Sequence, residues 1–403
     1  EKRAGVEHDF EKDGLDLIIR DGRLTANGTT LGGDNGVAVA LMLMVLDDDE
    51  IEHPPVECVF TTEEEVGLNG AKALDKSVLK ARTMINMDSE DEGVATVSCA
   101  GGLRVQFTKE IQRTTVQGSL LTLKVEGLLG GHSGQDIDKE RQNADLLMAR
   151  MIQRLLKETK GQLVSFNGGT KDNAIPRECE ASLIYESDEE AAKAEELACE
   201  LAETYAEELT PAEPDFSCEI SCETNRTAEA IPQDAAKEFI CAMRLAPNGI
   251  QKRNIKMDGF VVVSLNLGVV RTEEDRIVMI FSPRSSVASL QEDTKERLNT
   301  LAETFGFTVS HSSEYPGWSF KEDSPVREIC KESYKELFGE DLKIEAIHAG
   351  LECGLFSDAI KGLDAIAIGP TIANCHTPDE YLTLDSFERF YEFLKDILSR
   401  LAK

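Results

Sequence analysis

The sequence lacks the features of membrane-spanning, nucleic-acid-binding and disulfide-stabilised proteins. No apolar stretch approaches the roughly 18 residues that a transmembrane helix requires, so we expect none. Positive charge is scarce, because 43 Lys and Arg residues face 75 Asp and Glu residues, and the formal charge of -32 repels nucleic acid and anionic membranes. The ten cysteines are dispersed and form no Cys-x-x-Cys pair, so we expect free thiols in a reducing, cytoplasmic compartment.

The length of 403 residues exceeds what a single hydrophobic core usually serves, so we expect two domains. A hydrophobic content of 41% with only 12 prolines argues against extended disorder. The first residues, Glu-Lys-Arg-Ala-Gly-Val-Glu-His, fit neither a signal peptide nor a translation start. We therefore expect the chain to begin partway through a longer protein.

Strand and helix patterns alternate over the first hundred residues, which is typical of an α/β sheet. The patterns predict a helix over 37–46 and short buried strands over 56–60 and 83–87. The middle of the chain mixes strands and helices, including a helix over 188–209, in the manner of an α+β domain. From about residue 314 the first pattern returns.

This arrangement predicts a discontinuous protein of two domains. Residues 1–101 and 314–403 would form one α/β domain, and residues 102–313 would be an α+β domain inserted into it.

Acidic and imidazole side chains follow several apolar segments, at the positions where open α/β sheets place their sites. They are Asp34, Glu64, Glu65, Asp88 and His376. Burying isolated carboxylates costs several kcal/mol or more, and a pair of divalent cations is a common source of the compensating charge. Because zinc accepts carboxylate and imidazole ligands, the set predicts a two-zinc hydrolase.

Two of these segments carry more local information. Glycines surround Asp34 and let backbone and metal approach closely, which makes Asp34 the natural carboxylate to bridge two ions. Glu64 and Glu65 are adjacent, so their side chains diverge, and one can bind metal while the other stays free as a general base. Taken alone, a Glu-Glu pair is more often solvated surface, and His376 more often a loop histidine.

Eight motifs occur in order along the chain. They are Leu31-Gly-Gly-Asp-Asn-Gly36, Thr62-Glu-Glu-Glu-Val-Gly67, Asn86-Met-Asp-Ser-Glu90, Gly130-Gly-His-Ser-Gly134, Asn173-Ala-Ile-Pro176, Tyr315-Pro-Gly-Trp318, His348-Ala-Gly-Leu-Glu-Cys-Gly-Leu-Phe356 and His376-Thr-Pro-Asp-Glu380. Over essentially the whole chain they resemble the aminoacyl-histidine dipeptidases of the co-catalytic zinc peptidase superfamily. The resemblance implies an α/β zinc-peptidase-type catalytic domain, with a central mixed sheet flanked by helices, and an inserted α+β lid domain.

The resemblance also implies roles for the acidic residues and His376. Asp34 would bridge two zinc ions, for which Co²⁺ or Mn²⁺ could substitute. Asp88 would complete one metal site, and Glu65 and His376 would complete the other. Glu64 would be the general base that takes a proton from the metal-activated water.

Three residues of the middle segment, together with Gly350 from the C-terminal part, would act on the substrate. His132 would polarise the scissile carbonyl or stabilise its oxyanion. Asn173, Arg284 and Gly350 would hold the substrate, Arg284 being suited to a carboxylate. The family's first metal ligand, a His in a His-x-Asp-Met-Val segment, has no counterpart before Asp34. We therefore expect one metal to bind weakly, and activity to be poor or absent, in an isolated fragment with this start. The alternative is that the N-terminal part with this histidine is disordered, cleaved or left out of this sequence.

The resemblance implies a cytoplasmic metallo-dipeptidase that hydrolyses unblocked dipeptides, with Xaa-His substrates such as β-alanyl-histidine as one option. An aminoacylase or tripeptidase of the same superfamily is an alternative. A metal-impaired protein that acts through binding or assembly is another. The expected partner is a small peptide, and we expect no binding to nucleic acid or to membranes. The sequence leaves both a monomer and a homodimer as options.

Overall fold

The computed structural model of the protein describes residues 1–65, 67–255 and 259–403, so Val66 of the Glu-rich motif lies outside the described residues. The chain divides into two compact units. Unit 1 consists of Glu1–Cys99, Gly317–Ile347 and Leu351–Lys403, and unit 2 consists of Ala100–Pro316 and His348–Gly350. The assignment of catalytic and lid roles to the two parts of the chain stays a prediction.

In chain order, the strands of the described residues are β1 (Leu17–Arg20), β2 (Arg23–Ala26), β3 (Thr83–Asn86), β4 (Val94–Cys99), β5 (Gly101–Glu110), β6 (Thr114–Glu126), β7 (Gly131–His132), β8 (Gln162–Gly168), β9 (Ala174–Ile175), β10 (Cys179–Tyr185), β11 (Ser217–Ala230), β12 (Gly249–Arg253), β13 (Val261–Thr272), β14 (Arg276–Ser285), β15 (Thr308–Tyr315), β16 (Lys343–Ile347), β17 (Asp364–Ala367), β18 (Ile372–Ala373) and β19 (Tyr381–Thr383).

The α-helices of the same residues are α1 (Gly33–Asp47), α2 (Asn69–Ala73), α3 (Ala144–Glu158), α4 (Asp188–Leu209), α5 (Gln233–Leu245), α6 (Ala288–Thr304), α7 (Pro325–Phe338), α8 (Glu352–Ala359) and α9 (Leu384–Leu401). Judged on the described residues, none of these helices combines the length and hydrophobicity that crossing a membrane requires.

Unit 1 is built on a mixed sheet with the strand order β16-β4-β17-β3. The outer pairs β16–β4 and β17–β3 are parallel, and the central pair β17–β4 is antiparallel. Helices α7 and α8 pack against β17. A second, antiparallel sheet has the order β1-β2-β19-β18 and brings the C-terminal loop before β19 close to the N-terminal segment.

Residues 56–60 depart from the prediction, because the expected buried strand is irregular and partly exposed. Phe60, at its end, has 49% of its surface exposed. A strand is stable only when a neighbouring strand completes its hydrogen-bonded ladder. In the described part of the chain β3 pairs with β17 alone, and no strand pairs with residues 56–60.

Unit 2 contains a large antiparallel sheet with the order β11-β6-β10-β8-β13-β14-β5-β15, to which β12 adds by pairing with β13. Helices α3 to α6 pack against it. The core between helices and sheet includes the fully buried rings of Phe107, Phe166, Phe239 and Phe281. The architecture is α+β, as the sequence pattern predicts.

Capping residues explain why two of these helices begin where they do. The Asn143 side chain accepts hydrogen bonds from the backbone N–H groups of Asp145 and Leu146 at the start of α3. The Ser324 side chain accepts one from Arg327 N, with Pro325 in the first helical position of α7. Both caps satisfy N–H groups that have no partner within the helix.

Asp145, in the first turn of α3, is a buried acid without an obvious partner. It is fully buried, and neither carboxylate oxygen has a nitrogen or oxygen partner among the described residues. Burial raises the pKa of Asp145 to about 8, although the neighbouring Cys179 thiol and the charge of Arg271 oppose the rise. Folded protein therefore keeps this carboxyl protonated at neutral pH.

We expect Asp145→Asn to stabilise the protein increasingly as the pH rises. Between the ordinary pKa of 3.8 and about 8 the folded state holds a proton that the unfolded state has lost, so the wild type loses stability over that window and the variant does not. Each kcal/mol gained should raise the thermal midpoint of a unit this size by about 2–4 °C. Calorimetry from about pH 5 to about pH 9 measures the difference.

Asp234→Asn is the matched control, because Asp234 also lies in the first turn of a helix, α5, but is exposed. Because this carboxylate is exposed, its replacement should change the midpoint by much less than that of Asp145 at the alkaline end of the range. A pH-independent difference between the Asp145 variant and the wild type would contradict the interpretation.

Candidate active site

Unit 1 brings together the predicted acidic residues and His376. One oxygen each of Asp34 and Glu65 and one ring nitrogen of His376 lie within 4.8 Å of one another. The His376 Nε2 atom is 3.6 Å from Asp34 Oδ2, and its Nδ1 atom is 3.5 Å from Glu65 Oε1. A cavity of about 460 Å³ is lined by Asp34, Glu64, Glu65 and Asp88.

The carboxylates of this group repel one another. Burial, followed by the charge of Asp34, raises the pKa of Asp88 to about 8. Burial, followed by the charges of Glu65 and Asp34, raises the pKa of Glu64. His376 acts in the opposite direction on Glu64. The cluster therefore holds more negative charge than the neighbouring described groups compensate.

The donor set fits a divalent metal. Carboxylate oxygens and one imidazole nitrogen are ligands that Zn²⁺ and similar ions accept, and a cation would keep these carboxylates ionised. A second group with the same spacing consists of Asp34, Glu90 and Cys375. Sequence reasoning gave Glu90 and Cys375 no part in a metal site, and the available signal was their position within two residues of Asp88 and His376.

The start of α1 places Asp34, and a residue from the far end of the chain holds it there. Asp34 lies at the N-terminus of α1 with non-helical backbone angles. The Glu380 carboxylate accepts a hydrogen bond from the backbone N–H of Asp34 at 3.3 Å. It also accepts from the backbone N–H groups of the three residues before Asp34. Sequence reasoning also missed Glu380.

Unit 2 brings His132 and Asn173 together. The two-residue strands β7 and β9 pair so that His132 lies opposite Ala174. Next to this pair, Ser133 N donates a hydrogen bond to the Asn173 carbonyl oxygen at 2.9 Å. The loop of His132 is thus fixed to the segment that carries Asn173.

The surroundings of the His132 ring determine which nitrogen carries its proton. Nδ1 accepts hydrogen bonds from Gly134 N at 3.2 Å and Gln135 N at 3.0 Å. The proton of the neutral ring therefore sits on Nε2. Partial burial, followed by the charge of Arg284, lowers the pKa of His132, so the ring is a neutral donor at neutral pH.

Arg284 is a buried cation in unit 2 without a counter-ion in the described residues. Only 6% of its surface is exposed, its Nη1 donates to the Tyr315 hydroxyl at 3.0 Å, and its Nε has no partner there. The Tyr315 ring also lies against Gly350, where an added Cβ would be 2.9 Å from the ring. A buried guanidinium without a paired carboxylate can accept an anionic ligand.

The chain is similar to known peptidases in sequence and in structure. Residues 5–400 match Peptidase family M20/M25/M40. The chain is 34% identical over 407 residues to the cytosol non-specific dipeptidase of Escherichia coli (strain K12), an alignment that covers 100% of this chain and 83% of that protein.

Two crystal structures are also similar. Aminoacylhistidine dipeptidase from Vibrio alginolyticus superposes with a TM-score of 0.94 at 35% identity, covering 99% of this chain and 82% of that one. Aminopeptidase PepT from Bacillus cereus ATCC 10987 gives a TM-score of 0.51 at 16% identity over 97% of this chain and 77% of its own, which is a likeness of fold alone.

The fold class predicted from the sequence is thereby confirmed, as is the prediction of a metal-dependent hydrolase of peptide bonds. With almost its full length matched, the chain belongs to peptidase family M20/M25/M40.

Proposed function

We propose that this protein is a metallo-dipeptidase that hydrolyses unblocked dipeptides. The observation that carries the proposal is the convergence of Asp34, Glu65 and His376 to within 4.8 Å. It occurs in a chain whose full length aligns with a dipeptidase of E. coli. Family membership gives dependence on a divalent metal, and we propose two zinc ions, with Co²⁺ or Mn²⁺ as substitutes.

The proposed ligand set uses the carboxylates and imidazole of unit 1. Asp34 would serve both ions, Asp88 would complete one site, and Glu65 with His376 would complete the other. When bound, the metal supplies positive charge to the carboxylates and Lewis acidity to the reaction. Support comes from the mutual repulsion of these groups, which a cation would relieve.

Glu64 is proposed as the general base. It neighbours a proposed ligand in sequence and lines the same cavity, yet it lies outside the Asp34–Glu65–His376 triad. It would take the proton of the attacking water and pass it to the nitrogen of the leaving amine.

Unit 2 is proposed to bind the substrate. The Nε2–H of His132 can donate to the oxygen of the scissile carbonyl as negative charge develops there. Arg284 would pair with the free carboxylate of the peptide, and Asn173 and Gly350 would hold its backbone. Residues 1–101 and 314–403 would then be the catalytic domain, and residues 102–313 the lid.

The names of the relatives suggest the substrate range and the location. Non-specific dipeptides or Xaa-His dipeptides are the proposed substrates, by analogy with the E. coli and V. alginolyticus proteins. The cytoplasm is the proposed location, because the E. coli relative is a cytosol enzyme.

Removing the metal should abolish hydrolysis, and restoring it should recover activity. Chelator-treated protein supplemented with Zn²⁺ should cleave free dipeptides, whereas N-acylated amino acids and tripeptides should be poor substrates. Mass spectrometry of the metal content should give two ions per chain. Turnover of acylated compounds alone would indicate an aminoacylase, and fewer than two ions with no hydrolysis would indicate a binding protein.

Glu64→Gln should lower kcat by about 10²–10⁴-fold, because general acid–base catalysis contributes an effect of that order. Metal content should be unchanged. Glu63→Gln is the matched control, since Glu63 lies in the same acidic run but accepts a hydrogen bond from Asn69. Equal activity in both variants would reject Glu64 as the base.

Arg284→Gln should raise KM for dipeptides by about 10-fold or more, because a charge-assisted hydrogen bond is worth roughly 1.5–3 kcal/mol. Dipeptides with an amidated C-terminus serve as the control. The wild type should lose affinity for the amide, while the variant should treat acid and amide alike. A variant that still prefers the free acid would show that Arg284 does not bind the carboxylate.

A further inference from the structure

The carboxylate of Glu380 is buried and fully engaged with backbone groups. Only 2% of the surface of Glu380 is exposed. Its two oxygens accept hydrogen bonds from four consecutive backbone nitrogens, those of Leu31 at 2.8 Å, Gly32 at 2.9 Å, Gly33 at 2.7 Å and Asp34 at 3.3 Å. These bonds replace water for a charge that would otherwise be expensive to bury.

The start of α1 needs such a partner. The first N–H groups of a helix have no acceptor within the helix. The N-cap residue of α1 is Gly32, which has no side chain to supply one. Glu380, separated by 346 to 349 residues, accepts from the irregular backbone that leads into the helix. The first regular turn after it is capped by Asn35, whose side-chain oxygen accepts a hydrogen bond from Ala38 N at 3.1 Å.

Gly33 permits the close approach of this carboxylate. An added Cβ at Gly33 would lie 3.1 Å from Glu380 Oε1, and 3.4 Å from both Ile372 and Leu31. A larger residue would therefore push the carboxylate away from the helix start. Gly33 thus serves the contact with Glu380.

The other end of the contact lies in the loop that carries His376. Thr377 N donates to the Asn374 carbonyl at 3.2 Å, and Glu380 N donates to the Thr377 carbonyl at 3.1 Å. The Thr25 hydroxyl donates to the Glu380 carbonyl at 2.8 Å. The backbone of Glu380 is thereby fixed on the His376 side while its carboxylate holds the Asp34 side.

We propose that Glu380 is a positioning residue that sets the distance between Asp34 and His376, and through it the affinity of the metal site. The inference rests on the proposed metal-binding role of those two residues. Glu380 itself need not touch metal or substrate. It acts by fixing the backbone from which Asp34 projects.

The test compares Glu380→Gln with Glu213→Gln in the full chain. Glu213 is a matched control, because it is also 2% exposed and accepts backbone hydrogen bonds, from Leu129 N at 2.7 Å and Gln142 N at 2.9 Å, but lies in unit 2. Zn²⁺ affinity is measured by competition with a chromophoric chelator. The visible spectrum of the Co²⁺-loaded protein reports the ligand geometry, and calorimetry reports the stability of the metal-free protein.

Glu380→Gln should weaken Zn²⁺ binding by about 10–100-fold, the range expected when a residue that orients metal ligands is lost. The Co²⁺ spectrum should change, and kcat should fall more than KM changes. Glu213→Gln should lower the thermal midpoint while leaving Zn²⁺ affinity and the Co²⁺ spectrum at wild-type values.

Gly33→Ala tests the same contact if Glu380→Gln does not fold, and it should weaken Zn²⁺ binding to a smaller extent. Unchanged affinity and spectrum in a folded Glu380 variant, or in Gly33→Ala, would overturn the proposal. Failure of the proposed function is a separate result, because the wild type itself would then bind no metal or cleave no dipeptide.

Discussion

The candidate site of unit 1 brings together carboxylates that repel one another. Asp34, Glu64, Glu65 and Asp88 line one cavity, and their charges and partial burial disfavour the ionised state of Glu64 and Asp88. Folding alone gains nothing from this convergence, since the same chain could place these groups in water. The unfavourable electrostatics are consistent with a site whose energy is balanced by a ligand of opposite charge, and membership of a metal-dependent peptidase family agrees with this.

Both units hold their loops through backbone hydrogen bonds to buried acids. Glu380 binds the segment before Asp34, and Glu213 binds Leu129 and Gln142 on either side of the His132 loop. A carboxylate with several N–H donors fixes a loop more firmly than apolar packing does, because hydrogen bonds depend on direction as well as distance. The proposed catalytic side chains therefore project from irregular backbone that hydrogen bonds to buried carboxylates hold in place.

The features that follow from local sequence were predictable. Helix α4 occupies the predicted 188–209, because Ser187 caps a run of strong helix formers. The ordered motifs predicted a shared set of metal ligands, and the structure places Asp34, Glu65 and His376 within 4.8 Å of one another. The roles of these residues stay a prediction. Residues 56–60 were mispredicted because strand formation depends on a partner elsewhere in the chain. The contact of Glu380 with α1 spans more than 340 residues, so no local pattern could reveal it.

The three residues His348–Gly350 belong to unit 2 although unit 1 flanks them on both sides in sequence. His348 is paired through Nε2 with the Ser264 hydroxyl at 2.7 Å, and the Ala349 carbonyl accepts from Ala100 N at 3.0 Å. During synthesis, unit 2 can therefore make these last contacts only after Gly317–Ile347 of unit 1 has been added to the chain. Expressing Ala100–Pro316 alone would leave Ser264 and Ala100 without these partners. Unit 2 is therefore complete only when the chain has been made as far as Gly350.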